Sequence, residues 1–222
     1  MIPIPILSGG ILTSRLNICR RTERTEIMKF TKIPSDTFQK LQINAGILTT
    51  DFTPATGAVG ESGQIGATSG GINFTATPTF SDFGDDIDNC PKNMKELKKL
   101  DSWEVKMSGT FVNADTAIAK KLIGAADIGS TDTTKVTPRN DLEDSDFGDI
   151  WLVGDYSDKN GAENGGYIAI KLLNALSTGG FKLQTSDKAK GQFAFEFTGH
   201  YSMSAQDTVP FELYIKSGTA ES

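Results

Sequence analysis

The chain has 222 residues, 22 basic against 28 acidic, one histidine and two cysteines, for a formal net charge of −6. That length suits one domain able to bury about two thirds of its unfolded surface. The acidic balance argues against a nucleic-acid binder held by phosphate contacts. Cys19 and Cys90 give neither a metal spacing nor a disulfide framework, so an intracellular folding compartment is the economical expectation.

No run approaches the roughly 18 apolar residues of a membrane span. Met1–Leu12 is apolar but lacks a basic n-region and a clean cleavage site, which makes it a poor signal peptide. Ile2-Pro3-Ile4-Pro5-Ile6 gives way to Arg20-Arg21-Thr22-Glu23-Arg24, and only at Met28-Lys29-Phe30 does a globular pattern open. The expectation is a non-globular extension over 1–27, with Met28 as the natural start and one domain over 28–222. A native protein whose intact mass counts from Met1 would sink it.

Phe38–Leu48 carries two weak strands, around Leu41–Ile43 and Ile47–Leu48. A long Gly/Thr segment follows, Thr49–Gly71, in a stretch from Leu41 to Pro91 without Lys or Arg. Connections in compact domains are mostly about four to six residues long. This one, with Thr49, Thr50, Asp51, Phe52, Gly57, Gly60, Gly63, Gly66, Gly70 and Gly71, reads as a flexible loop. With little apolar surface to offset its ordering entropy, it needs a partner to become ordered.

Alternation of apolar and polar residues then predicts strands over Ile72–Phe80, Trp103–Phe111, Phe193–Tyr201 and Phe211–Lys216, each with one face on a core. Pro78 belongs at an edge or bulge because it cannot donate to a ladder. Ile150–Val153 is apolar on both faces and reads as a central strand. Tyr167–Leu172 pairs with it through a turn at Asn160–Gly166, and Phe181–Gln184 is a shorter strand. One helix is expected at Asp115–Gly124, with Ile118, Leu122 and Ile123 inward and Gly124 as its stop. A short helical turn is expected at Pro91–Lys99. The fold class is mainly β: an antiparallel sandwich or barrel with one flanking helix and a long flexible loop.

No catalytic, cofactor or metal motif survives inspection. Asp82-Phe83-Gly84 spells a kinase magnesium motif without the glycine-rich loop, lysine strand or catalytic loop that give it meaning. Asp155–Gly161 imitates a calcium loop, but aligning Gly161 on the invariant glycine leaves Tyr156 and Tyr167 at ligand positions. His200 has no second ligand and no nucleophile elbow. The expectation is a non-enzyme without cofactor.

From Met28 onward the chain resembles the major tail protein, or tail tube protein, of long-tailed, siphovirus-type bacteriophages and prophages of Gram-positive bacteria. The resemblance is carried by Lys32-Ile33-Pro34-Ser35-Asp36-Thr37-Phe38, Asn44-Ala45-Gly46-Ile47-Leu48 and Gly66-Ala67-Thr68-Ser69-Gly70-Gly71-Ile72. It continues through Phe83–Leu97, Thr137-Pro138-Arg139-Asn140-Asp141-Leu142, Trp151–Ser157 and Gly191–Tyr201. It implies a tail-tube β-sandwich that assembles with itself as hexameric rings stacked into a hollow tube. Further implied partners are the tape measure, tail terminator and distal tail or baseplate proteins. DNA passes through without specific binding, and the protein is expected in the virion tail after assembly in the host cytoplasm. The loop 49–71 then reads as an assembly arm whose loss leaves a folded monomer. Asp82, Asp85, Asp86 and Asp88 are candidates to line the lumen, where carboxylates would repel the phosphate backbone. Competing readings are the tube protein of a contractile tail or injection device, and a monomeric surface or carbohydrate-binding β-sandwich.

Overall fold

The computed structural model describes residues 33–42, 44–157 and 165–219. The extension 1–27 and most of the turn region 160–166 lie outside the described residues. The chain divides between Pro34 and Ser35, and every element below belongs to the second unit, Ser35–Ser222.

The strands are β1 (Ile47–Thr49), β2 (Phe52–Thr53), β3 (Ala58–Val59), β4 (Gln64–Gly66), β5 (Thr68–Asp82) and β6 (Lys98–Phe111). After the helix α1 (Thr116–Ile123) come β7 (Ala126–Ile128), β8 (Val136–Pro138), β9 (Gly148–Tyr156), β10 (Gly166–Ser177), β11 (Lys182–Gln184), β12 (Gln192–Thr198) and β13 (Phe211–Lys216). All pairings are antiparallel. The main path runs β4-β1-β9-β10-β12-β6-β5, with β13 beside β10 and β11 beside β12.

Strand β10 joins two halves of this path. Its first part, Tyr167–Leu172, pairs with β9 on one edge and β13 on the other. Its end, Leu176 and Ser177, pairs instead with β12. The change of partner falls at an irregularity between Leu172 and Ala175, where Asn174 takes a left-handed φ of 46°. Asn174 suits that conformation because its short polar side chain bonds locally; its Nδ2 donates to the His200 carbonyl at 3.0 Å.

The two halves and the helix enclose one core. Leu48, Ile65, Val105, Met107, Phe111, Ile118, Leu122, Ile150, Leu152, Leu172, Phe195 and Phe197 are all buried in it. Alternation decides membership: Val105 and Met107 of β6 and Phe195 and Phe197 of β12 point in, and the residues between them point out. Strand β9 is apolar on both faces for a reason. Ile150 and Leu152 enter the main core, while Trp151 turns the other way into a second cluster with Phe52 and Ala169.

The helix occupies the span its caps predict. Asp115 Oδ1 accepts from the Ile118 N–H at 2.7 Å, and the Gly124 N–H donates to the Lys120 carbonyl from a φ of 88°. Ser177 Oγ adds a bond to the otherwise orphaned Leu122 carbonyl at 2.8 Å. Replacing Asp115 with Ala is expected to cost about 1 kcal/mol, read as a lower urea midpoint with an unchanged slope.

Two expectations need correction here. The segment 49–71 is not a structureless loop, because it contains β2, β3, β4 and the start of β5. The apolar residues overlooked in it are Phe52 and Ile65, both buried. The apolar face of β13 is also not covered along its length. Phe211 packs on the core, but Leu213 and Ile215 are each 53% exposed.

Candidate assembly surfaces

The residues of the expected assembly arm separate into a docked part and an open part. Thr49 is fully buried, and its hydroxyl both donates to the Asp51 carbonyl and accepts from the Asp51 N–H, each at 3.1 Å. The Thr50 N–H reaches the Gly63 carbonyl at 2.8 Å, and the Gly60 N–H reaches the Asp51 carbonyl at 3.1 Å. Phe52 meets Trp151 and Tyr167 edge-on, each at a centroid distance of 5.2 Å. The Tyr167 hydroxyl donates to the Pro54 carbonyl.

The glycines of this segment serve close packing. A Cβ on Gly63 would stand 2.7 Å from Thr49 Oγ1 and 2.9 Å from the Asp51 backbone nitrogen. One on Gly66 would press Phe111, Ile118 and Asn113 at 3.1 Å each. A Cβ on Gly57, in the β2–β3 turn, would stand 3.4 Å from the Tyr167 ring. Gly70 and Gly71 differ: both have φ above 80°, a Cβ on either would meet nothing within 4 Å, and they form the bulge where β5 slips against β6. The sequence brought all six glycines together as one flexible arm; the fold docks the first four and places the last two in an open bulge.

The carboxylates fall elsewhere. Asp82 ends β5 and braces the turn, accepting from the Gly84 N–H at 3.0 Å and the Asn93 N–H at 3.2 Å. Asp85, Asp86 and Asp88 stand exposed beyond it. These residues occupy the tip of a long ribbon made by β5 and β6, paired from Thr68 with Phe111 out to Asp82 with Lys98. Strand β12 covers the outer edge of β6 only from Lys106 to Phe111. The edge of β5 has no partner strand among the described residues.

One face of the ribbon carries Asn73, Thr75, Thr77 and Thr79 opposite Ser108, Lys106, Glu104 and Ser102. At its outer part the Thr79 and Ser102 hydroxyls pair across the strands at 2.6 Å. The Glu104 carboxylate, hydrogen-bonded to Lys106 at 2.6 Å, holds that ammonium's pKa above its ordinary value. The other face is apolar, with Phe74, Ala76 and Pro78 opposite Met107, Val105 and Trp103, and it runs outward past the core. There Phe80, Phe83, Ile87, Met94 and Leu100 are all exposed. Sequence reading missed this patch, although Phe83 and Ile87 among four aspartates were a visible signal. Tyr201 steadies the ribbon's base, its hydroxyl oxygen accepting from the Trp103 N–H at 2.9 Å. A Tyr201→Phe change should lower stability by about 1 kcal/mol, measured as a shift in thermal midpoint.

His200 is half-buried just beyond β12 rather than on a strand's polar face. Its Nδ1 lies 3.1 Å from the Asn174 carbonyl, and its ring meets Phe147 edge-on. Arg139 is likewise engaged within the fold. Its guanidinium reaches Asp146 at 2.6 Å, Asp127 at 2.9 Å and Glu143 at 3.1 Å, tying β7–β8 to the turn before β9. Among the described residues no three His, Cys, Asp or Glu side chains converge to hold a metal ion, and no helix is long and apolar enough to cross a membrane. Comparison with family models returns no match, and none of the curated proteins matches the chain.

Proposed function

We propose that this chain is a structural subunit that assembles with itself, of the tail tube type its sequence resembles: hexameric rings stacked into the conduit of a long-tailed phage. The observation that supports this reading best is the β5–β6 ribbon. A 15-residue edge strand with an uncovered apolar end is an aggregation hazard unless a partner covers it. An assembly that joins subunit to subunit gives both the edge and the apolar surface a partner. Leu213 and Ile215 on β13 form a second uncovered surface, distant in sequence from the ribbon. Different surfaces on one molecule suit heterologous contacts, which close into rings or propagate into filaments.

In this reading the tape measure, tail terminator and distal tail proteins are the remaining partners. DNA passes along an acidic or neutral wall that offers it no phosphate-binding groups. Negative-stain microscopy of the concentrated protein tests the proposal. Rings or tubes are expected, and particles that remain monomeric at every concentration would overturn it.

A further inference from the structure

The ribbon tip divides its charges by direction of travel. The outbound limb that follows β5 carries Asp85, Asp86 and Asp88, and the returning limb, which runs into the first residues of β6, carries Lys92, Lys95 and Lys99. All six are exposed. Among the described residues five of them make no ion pair, and Lys95 meets only its exposed neighbour Glu96 at 3.4 Å. The limbs therefore leave their charge available to something outside the chain. Between and beneath them lie the exposed side chains of Phe80, Phe83, Ile87, Met94 and Leu100.

We infer that this tip, Phe80–Leu100, is a contact surface for a second copy of the chain, the acidic limb of one copy facing the basic limb of the next. The inference deepens the proposed self-assembly and rests on that reading for the partner's identity. The charge pattern favours a second copy because the segment carries its own complement. Nucleic acid or an anionic membrane would meet three carboxylates on the outbound limb. The apolar side chains supply the driving force for association, since removing them from water is favourable. The charges select orientation, because exposed pairs add little affinity while like charges brought together repel. A copy that docks in the wrong orientation sets lysines against lysines.

The experiment uses the full chain in two variants, D85K/D86K/D88K and K92E/K95E/K99E, followed by sedimentation velocity at low salt. At these six positions each variant carries a single sign. Each is expected to associate at least tenfold more weakly than wild type, and an equimolar mixture is expected to recover association. An unchanged thermal midpoint in each variant excludes misfolding as the cause. Variants that associate like wild type, or a mixture as weak as its components, would overturn the inference. Normal tubes from either variant would overturn it too while leaving the tube reading standing. Recovery in the mixture as small oligomers without tubes would keep the tip contact and sink the tube.

Discussion

Deletion of residues 56–67 is expected to leave no stable fold, with loss of the cooperative urea transition and of near-ultraviolet circular dichroism. The deletion removes β3 and β4, so it strips the pairing partner from β2 and from the outer edge of β1. It also takes Ile65 out of the main core, where 7% of its surface is exposed. Emptying a buried Ile site alone costs about 2–5 kcal/mol. Whole domains have only about 5–15 kcal/mol in hand. This reverses the expectation from sequence, in which the same segment is an assembly arm whose loss leaves a folded monomer that cannot form tubes. A deletion variant that melts cooperatively near the wild-type midpoint would restore the arm.

Phe52→Ala should cost about 3 kcal/mol although it lies outside the main core. Phe52 is the apolar anchor by which the β2–β3 hairpin holds to the outer face of β9 and β10, wedged between Trp151 and Tyr167. Such edge-on aromatic pairs add about 0.5–1.5 kcal/mol each to burial. Loss of the ring should expose Trp151 and shift its emission to the red, while Trp103, on the ribbon, stays unchanged. Phe52→Leu should cost less than half as much, because it keeps most of the buried volume. Phe38→Ala is the control: that ring is 61% exposed and its loss should fall within about 0.5 kcal/mol. Equal urea midpoints for Phe52→Ala and Phe38→Ala would show that the hairpin does not depend on its anchor.

Much of the architecture is legible in local pattern. The period-2 stripes predict β6, β12 and the middle of β5, because a pleated strand with one buried face must alternate. The two-sided run Ile150–Val153 predicts a strand covered on both faces, and both coverings exist. Asp115 and Gly124 mark the helix ends because capping is satisfied within a few residues of chain. The segment 49–71 was misread for the opposite reason. Strands of two or three residues have no period to detect, and Phe52 and Ile65 matter only through what they meet. Likewise Leu213 and Ile215 carry the same alternation as Phe211, and nothing in that pattern states where the covering layer ends.

The same division holds for the candidate site. The basic-free stretch from Leu41 to Pro91, the six glycines and the cluster Asp82, Asp85, Asp86 and Asp88 are properties of the sequence alone, as are the acidic balance and the period of the strands. Each depends on residue identity and short-range spacing. Tertiary structure decided that the first part of that stretch is docked, that Asp82 braces a turn, and that the remaining carboxylates crown a ribbon beside exposed Phe83 and Ile87. Those outcomes depend on pairings across long sequence separations, such as Leu48 with Leu152 and Thr68 with Phe111. Burial is a property of the covering layer as much as of the residue covered, so one alternating pattern packs Phe74 against the core and leaves Phe80 on open surface.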